Sequence, residues 1–205
     1  MFTGIVTAVG TIRRLDQRGD LRVEIACPFD PAAIAIGASI ACSGVCLTAV
    51  ERGGEPGDAW FAVDVSAETL SRTAQGMWRE GGQINLEPSL KLGDEMGGHI
   101  VSGHVDAVGT VVSAGQEGAS TRLTIAAPAE LAPLIAPKGS IAVDGVSLTV
   151  NRVQDQPDGS VHFGLNIIPH TAEVTTLGRL RENSQINLEI DTVARYLQRM
   201  RQLQA

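Results

Sequence analysis

The sequence predicts an all-β protein built from two similar domains and a final α-helix. Two segments are written twice in the same order: SIACSGVCLTAV at Ser39–Val50 returns as SIAVDGVSLTVN at Ser140–Asn151, and QINLE at Gln83–Glu87 returns unchanged at Gln185–Glu189. Short apolar runs separated by turn residues surround both copies, without the helical periodicity that crossovers between parallel strands would need. A repeat of about 100 residues is long enough for an independent core, which favours two domains over a solenoid.

In the first half, alternating or β-branched apolar residues predict five strands, bounded by stretches rich in Gly, Pro and Asp. Antiparallel strands at this spacing favour a closed barrel or a sandwich. GIVTAVGTI, which opens the first strand, returns as GHVDAVGTV at 103–111, so we expect the second half to repeat the pattern. Short helices are predicted at 31–36 and 67–75, with counterparts at 128–136 and 172–180. The predicted strands are Gly4–Leu15, Leu21–Ala26, Ser39–Glu51, Trp60–Val65 and Gln83–Glu87.

A polar, turn-prone segment at Pro88–Gly98 joins the halves, which predicts domains at 1–97 and 98–190. The remaining segment, 191–205, has no counterpart in the first half, and its apolar residues recur at the spacings of one helical face. A helix of about 15 residues is marginal alone in water, so this face must pack, either on its own barrel or on the same helix of another protomer. The face comprises Val193, Tyr196, Leu197, Met200 and Leu203.

Composition excludes several classes of function. A formal charge of −7 lacks the basic face that nucleic-acid binding requires. No apolar run approaches the roughly 20 residues of a membrane span, and the N-terminal MFTGIVTAVG lacks the basic-then-apolar order of a signal peptide. The expected compartment is therefore cytoplasmic. Because aromatic residues make up only 3% of the chain, the core is expected to be aliphatic.

Three cysteines, Cys27, Cys42 and Cys46, all lie in the first half. If residues 39–50 form a single strand, Cys42 and Cys46 lie about 13 Å apart, beyond the roughly 7 Å limit for a disulfide. The sequence has no CxxC pair and no Cys/His cluster at zinc spacing, so no metal site is expected.

The strand repeated in both halves carries a candidate binding surface. Alternate residues of a strand share a face, so the valine and leucine of GVCLT point one way while Cys46 and Thr48 point the other. In the second half, Ser147 occupies the position of Cys46, and Thr149 that of Thr48. A thiol or hydroxyl beside a threonine suits hydrogen bonding to a flat heterocycle. The alternative interpretation is that small polar residues are merely tolerated on a solvent face.

The two halves differ around this surface, and the second is richer in proton-transfer and charged groups. His104 is the candidate for proton transfer, because the reference pKa of histidine is near neutrality. Cys46 is a candidate nucleophile or a hydrogen-bonding group. His99 and His162 are interpreted as structural, and His170 is left undecided. From the first half to the second, Ile5 is replaced by His104, Gly37 by Lys138, Asp64 by Asn166, Ser66 by Ile168 and Ser89 by Asp191.

These residues resemble the riboflavin synthase family, of the trimeric alpha-chain type. The resemblance covers nearly the whole chain in order, and MFTGIV together with an internal SGH copy is highly specific. The chain departs from the family at Ser43, where many members have asparagine. Ser43 falls on the presumed core face, so a packing adjustment is expected. The matching motifs are MFTGIV at the N-terminus, GVCLT at 44–48, GGHIVSGHVD at 97–106, DGVSLT at 144–149 and INLEID at 186–191.

The resemblance implies two similar six-stranded antiparallel Greek-key barrels in tandem, with the C-terminal α-helix at the centre of a homotrimer. It implies a transferase that needs no cofactor and no metal. Two molecules of 6,7-dimethyl-8-ribityllumazine would dismutate, with transfer of a four-carbon unit, to riboflavin and 5-amino-6-ribitylaminopyrimidinedione. The site would form where the first barrel of one protomer meets the second barrel of the next. Lumazine synthase would be a partner to test.

The resemblance also assigns site residues by motif. His104 and Ser147 are the implied proton-transfer and activating pair of the second pocket, and Cys46 contributes to the first. Phe2 is implied to close the site, and Asp191 to lie near it. The implied substrate-binding residues are Phe2, Gly4, Ile5, Val6, Cys46, Leu47, Thr48, Asp64, Val65, Ser66, Ala67, Glu68, Thr69, Gly103, His104, Val105, Lys138, Ser147, Leu148, Thr149, Ile168, Pro169, His170, Thr171, Ala172, Glu173 and Asp191.

Two other functions fit part of the pattern. A lumazine-binding antenna protein of the same descent holds its ligand without turning it over, but should lack the reactive set in one pocket. Here Cys46, His104, Ser147 and Lys138 are all present. A flavin reductase barrel would need a nicotinamide-binding domain with a Gly-rich loop after a strand, and the sequence contains none.

Overall fold

A computed structural model describes residues 1–204, and its first domain is a closed antiparallel barrel. The strands follow the order β1-β2-β5-β4-β3-β6, so the β3–β4 hairpin is inserted between strands that are distant in sequence, as in a Greek key. The strands are β1 (Ala8–Arg18), β2 (Asp20–Cys27), β3 (Ser39–Cys42), β4 (Val45–Glu55), β5 (Asp58–Val65) and β6 (Gln83–Pro88).

The second domain repeats this path with one interruption. Its sheet has the order β10-β9-β13-β7-β8-β12-β11, in which β10 and β11 together occupy the place of β4. Val150 and Asn151 lie between these two strands, and their N–H groups still donate to the carbonyls of Gly139 and Gly164, both at 2.9 Å or less. The strands are β7 (Ala107–Glu117), β8 (Ser120–Ala127), β9 (Ser140–Val143), β10 (Val146–Thr149), β11 (Arg152–Asp155), β12 (Val161–Ile167) and β13 (Gln185–Ile190). The predicted all-β tandem architecture is confirmed.

The helices are short and occupy matched positions. The helices α1 (Ala67–Arg72) and α2 (Pro169–Val174) follow β5 and β12, and each leads into a single 3-10 turn. Two further 3-10 helices, at Pro31–Ala33 and Ala129–Leu134, lie where short helices are predicted. The last helix, α3, runs from Thr192 to Gln202, and the predicted end at Ala205 lies outside the described residues. Within residues 1–204, no helix has the length and apolar character needed to cross a bilayer.

The prediction of one continuous strand over 39–51 is wrong. Ser43 and Gly44 form a tight turn with φ of 45° and 81°, and β3 and β4 pair as a hairpin with Ala41 opposite Cys46. The Ser43 side chain is buried in this turn, where its Oγ accepts a hydrogen bond from the Asn85 N–H at 3.0 Å. Ser43 is therefore a turn residue, and the strand-based separation of Cys42 from Cys46 no longer applies. All three cysteines are free.

Each barrel encloses an aliphatic core with one phenylalanine at a matched position. Phe61 and Phe163 are fully buried, each among valine, leucine and isoleucine side chains. The alternation predicted for GVCLT is confirmed, since its valine and leucine lie in the first core while Cys46 is half-buried and Thr48 exposed. The aliphatic core that the low aromatic content predicted is thus present in both domains.

Two asparagines of the repeated QINLE segments join the barrels. Asn85 donates from Nδ2 to the Asp144 carbonyl at 2.9 Å and accepts from the Thr176 N–H at 2.8 Å. Asn187 makes the two equivalent bonds from the second barrel to the first. Its Nδ2 donates to the Ser43 carbonyl at 2.9 Å, and its Oδ1 accepts from the Ala74 N–H at 2.8 Å. Both asparagines are buried. The halves are therefore related by an approximate two-fold axis, with four hydrogen bonds fixing their relative orientation.

Candidate active site

The segment that leads into each barrel lies across the other barrel. The Ser147 N–H of the second domain donates to the Gly4 carbonyl at 2.8 Å, and the Cys46 N–H of the first domain donates to the Gly103 carbonyl at 2.8 Å. Val6 accordingly packs on the second core, and Val105 on the first. We call Cys46, Thr48 and residues 103–105 the first shelf, and Ser147, Thr149 and residues 4–6 the second shelf.

Glycine is required at both crossing points. A Cβ atom at Gly4 would lie 2.6 Å from Ser147 Cβ, and one at Gly103 would lie 2.6 Å from Cys46 Cβ. Both glycines also have positive φ, of 76° and 79°. The glycines of MFTGIV and SGHVD are thus explained by close backbone contact with the strand that carries Ser147 or Cys46 in the opposite barrel.

Two buried glutamates hold the crossing segments in place. Glu189 accepts hydrogen bonds from the Ser102 N–H and hydroxyl, both at 2.6 Å, and from the N–H groups of Gly103 and His104 at 2.8 and 3.0 Å. Glu87 accepts from the Thr3 N–H and hydroxyl, at 2.7 and 2.8 Å, and from the Gly4 N–H at 3.0 Å. Burial raises the pKa of Glu87, and the bonds from Thr3 and Gly4 oppose that effect. Each glutamate binds the segment of its own half.

In the first half, further predicted polar groups lie on β5, which pairs with β4, and on α1. Asp64 is exposed at the end of β5, and its Oδ1 lies 3.1 Å from Arg22 Nε. The Ser66 hydroxyl caps α1 by accepting from the Thr69 N–H at 3.2 Å. Glu68 pairs with Arg72 on the helix surface at 2.8 Å. Of the other predicted residues, Leu47 and Val65 are buried and Ala67 is exposed.

In the second half, the equivalent positions carry different chemistry. Ile168 precedes α2 without a side-chain cap, and Pro169 occupies the first turn. Ile168, Pro169, His170 and Glu173 are exposed, whereas Thr171, Ala172 and Leu148 are half-buried. Lys138 is exposed with φ of 69°, and its N–H donates to the Val150 carbonyl at 2.7 Å. Asp191 caps α3 by accepting from the Val193 N–H at 2.9 Å.

The structure groups the reactive residues differently from the sequence interpretation. The Ser147 hydroxyl bonds to His99 Nδ1 at 2.7 Å, whereas the segment carrying the exposed His104 lies on Cys46. Within one chain, the observed partner of Ser147 is therefore His99, which the sequence interpretation had treated as structural. Phe2 has no exposed surface and packs with Ala41, Val101 and Ala142, so contact with a ligand would require it to move.

Sequence reasoning missed Glu87, Glu189 and the two asparagines, although a signal was present. QINLE is the longest segment that the halves share without change, and it places an amide and a carboxylate on otherwise apolar strands. Identical polar residues in a buried strand indicate a shared structural task. For His99 no comparable signal exists, because its partner Ser147 lies 48 residues further along the chain.

Neither shelf is an enclosed pocket within one chain. A cleft of about 740 Å³ between the barrels, lined by residues that include Arg79, Asp144 and Arg179, contains none of the predicted site residues. A second cavity of about 450 Å³ includes Ile5 but not Ser147. Thr48 and Thr149 are exposed on open surface. Among residues 1–204, no cluster of His, Cys, Asp and Glu side chains has the arrangement of a metal site.

The lumazine binding domain matches this chain twice, at residues 3–89 and 102–191, in agreement with the two barrels. The chain is 48% identical over 208 residues to riboflavin synthase of Brucella abortus, covering all of both chains. It is 42% identical to riboflavin synthase of Mycobacterium tuberculosis, with 98% of each chain covered. The chain therefore belongs to the riboflavin synthase family.

Solved structures show the same fold. A crystal structure of LumP complexed with riboflavin superposes with a TM-score of 0.78 at 24% identity, over 93% of this chain and 99% of that one. A structure of LumP complexed with 6,7-dimethyl-8-(1'-D-ribityl)lumazine gives a TM-score of 0.76 at 23% identity, with the same coverage. The double-barrel architecture is thus found in proteins of low sequence similarity.

Proposed function

We propose that this chain is a transferase that dismutates two molecules of 6,7-dimethyl-8-ribityllumazine, giving riboflavin and 5-amino-6-ribitylaminopyrimidinedione. The supporting observation is that two related shelves carry unequal reactive groups, Cys46 with the His104 segment on one and Ser147 with His99 on the other. A reaction between two copies of one substrate needs two similar binding surfaces with different tasks. Full-length similarity to riboflavin synthases supports the same reaction.

The chemistry requires few groups. The C7 methyl group of the donor or acceptor lumazine must lose a proton, and the resulting anion is delocalised over the ring system. One base and hydrogen bonds to ring heteroatoms are therefore sufficient, and we assign these roles to His104, Ser147 and Cys46. The four-carbon unit lost by one molecule is gained by the other, so the overall exchange consumes no external oxidant. Holding both rings face to face makes a bimolecular step effectively intramolecular.

We propose a homotrimer in which the first shelf of one protomer faces the second shelf of the next. Helix α3 supports this assembly, since its apolar face is exposed: Tyr196 is 66% and Leu197 55% exposed. An ion pair between Arg195 and Asp106 at 2.9 Å anchors the first turns of the helix, and Val193, Met200 and Leu203 of its apolar face are exposed as well. The open shelves also suit a site that a neighbour completes. We retain lumazine synthase as a partner to be tested by co-sedimentation.

The runner-up function is a lumazine-binding antenna protein that does not turn its ligand over. Its support is the fold shared with LumP, at low identity. We favour the enzyme because both shelves carry candidate reactive groups, Cys46 and His104 on the first and Ser147 with its partner His99 on the second. The three free cysteines fit the reducing cytoplasm, which we propose as the compartment.

Incubating the protein with 6,7-dimethyl-8-ribityllumazine alone tests the proposal. Riboflavin should accumulate, followed by its absorbance and fluorescence, with one riboflavin for every two lumazines consumed. Ser147→Ala and Cys46→Ala should each lower kcat by about 100-fold or more, whereas Glu182→Gln, an exposed residue away from both shelves, should not change it. Lumazine binding without riboflavin formation would establish the antenna function instead. Sedimentation of wild type and Leu197→Glu tests the trimer.

A further inference from the structure

The Ser147 hydroxyl has a histidine partner that the Cys46 thiol lacks. His99 Nδ1 lies 2.7 Å from Ser147 Oγ, whereas in the part of the chain that the structure describes the Cys46 thiol has no side-chain hydrogen bond. His99 itself is only 9% exposed, and its backbone N–H donates to the Thr3 carbonyl at 3.1 Å. The contact belongs to the second shelf alone and adds to the inequality between the shelves.

The backbone around His99 is pressed against Ser147. A Cβ atom at Gly98 would lie 2.8 Å from Ser147 Cβ, 3.0 Å from Ser147 Oγ and 2.0 Å from the Thr3 carbonyl oxygen. Only glycine allows the chain to pass this close to the serine. The GGH motif is thus explained by a loop that delivers an imidazole to the hydroxyl.

The His99 ring is poorly suited to a purely structural task. Its Nε2 atom is buried and has no hydrogen-bond partner within residues 1–204. An unpartnered buried polar atom is unfavourable, so an apolar side chain would fill this space at lower cost. Burial lowers the pKa of His99, although the charges of Asp191 and Glu189 oppose the effect. The neutral ring carries its N–H on one nitrogen and its lone pair on the other, so the tautomer decides whether Nδ1 donates to the serine hydroxyl or accepts from it.

We infer that His99 is a positioning residue that fixes the Ser147 hydroxyl for the bound lumazine ring. A serine on an exposed strand can adopt several rotamers, and a hydrogen bond at 2.7 Å selects one of them. The bond uses one side of Oγ and leaves its remaining hydrogen-bonding capacity directed at the shelf. This inference rests on the proposed function, in which Ser147 contacts the reacting ring, and assigns a role to a residue that reaches the ring only through Ser147.

A double-mutant cycle between His99 and Ser147 tests the inference. His99→Leu, His99→Asn, Ser147→Ala and the double variant His99→Leu/Ser147→Ala are assayed for kcat, KM and lumazine affinity by fluorescence titration, with thermal unfolding as a check of folding. The matched control is His162→Leu, since His162 is a half-buried strand histidine outside both shelves. His99→Leu should lower kcat by about 10–100-fold, the value of one hydrogen bond to a reacting group.

The cycle separates positioning from packing. If His99 acts through Ser147, adding His99→Leu to Ser147→Ala should change kcat by less than about 2-fold, and His99→Asn, which keeps a polar atom near the Nδ1 position, should recover part of the rate. Effects that multiply in the double variant, or a His99→Leu variant as active as wild type, would overturn the inference. If wild type binds lumazine without turnover, the proposed function fails, and the same cycle measured on affinity still decides whether His99 and Ser147 are coupled.

Discussion

The two barrels share their framework and differ in their chemistry. In both, an asparagine of QINLE reaches across to the other barrel and a glutamate clamps the crossing segment. At the shelves, by contrast, Cys46 corresponds to Ser147, and only the serine has a histidine bound to it. Duplication thus preserved the residues that position the shelves and altered the matched pair Cys46 and Ser147 on them. The residues that join and clamp the barrels can be recognised by their identity between the halves.

Removing a clamp should give the largest effect on stability. Glu189→Ala leaves four donors without their acceptor, and we expect the free energy of unfolding to fall by about 3–5 kcal/mol. Glu87→Ala leaves three donors and should cost about 2–4 kcal/mol. Urea unfolding at one fixed protein concentration measures both, since an oligomer's stability depends on concentration.

The control for the clamp variants is Glu182→Ala, an exposed carboxylate in the same half as Glu189. Its change in stability should stay within about 0.5 kcal/mol. A Glu189→Ala protein as stable as this control would show that the crossing segments do not depend on the carboxylates. Riboflavin formation should suffer more in Glu189→Ala than in Glu87→Ala, because Glu189 holds the segment that carries His104.

The turn between the paired strands provides a second, pH-dependent comparison. The first barrel has Ser43 where the second has Asp144, and each side chain accepts from the N–H of a QINLE asparagine. Burial raises the pKa of the Asp144 carboxyl to about 7, although part of the residue lines the open cleft between the barrels. Between the ordinary pKa of 3.8 and about 7, the folded protein therefore binds more protons than the unfolded chain. Stability must fall as pH rises through that window.

Asp144→Ser should remove this pH-dependent loss of stability, because it gives the turn of the second barrel the serine found in the turn of the first. The gain in stability over wild type should grow from pH 5 to pH 8 and reach about 1–3 kcal/mol. Urea unfolding of both proteins across this range isolates Asp144, because Glu87 and Asp106, whose pKa values burial also raises, are present in both. The matched control is Asp155→Ser, an exposed aspartate of the same half, and a pH-dependent gain of the same size in this variant would contradict the assignment to Asp144. A flat difference for Asp144→Ser would mean that Asp144 titrates normally.

Much of the fold follows from the sequence because local patterns determine it. Alternation in GVCLT places its valine and leucine in the core, and the repeat places equivalent strands in both halves. The turn at Ser43 and Gly44 was missed because an apolar run continues on both sides of it, and the positive φ of Ser43 has no local signature as strong as that of an Asn-Gly pair.

The crossing of the segments could not be predicted from local patterns. Whether residues 4–6 lie on their own barrel or on the other is decided by the inter-barrel contacts of Asn85 and Asn187 and by the backbone bonds to Cys46 and Ser147. The same long-range packing brings His99 to Ser147. Equivalences between the halves singled out Cys46, His104 and Ser147 as candidates, but the partners of those residues depend on tertiary structure.

The smallest predicted effect concerns Lys138, which takes the place of Gly37. Both residues have a left-handed backbone, with φ of 69° and 86°, and both donate their N–H to an equivalent carbonyl, at 2.7 and 2.8 Å. The conformation is unfavourable for lysine by about 1–2 kcal/mol, while glycine in the unfolded chain costs about 0.5–1 kcal/mol in entropy. Lys138→Gly should therefore raise the free energy of unfolding by about 0.5 kcal/mol, measured by urea unfolding.

Glycine is the residue at this position in the first barrel. If Lys138→Gly stabilises the protein, the lysine does not serve the fold, and we then expect its charge to be the reason for its presence. In that case Lys138→Gly should raise KM for the lumazine, and Lys138→Asn, which tolerates the same backbone without a charge, should raise it equally. The reverse change, Gly37→Lys, should destabilise the protein and leave KM unaltered. A Lys138→Gly protein that is less stable than wild type, with an unchanged KM, would show instead that the lysine serves the fold and not the second shelf.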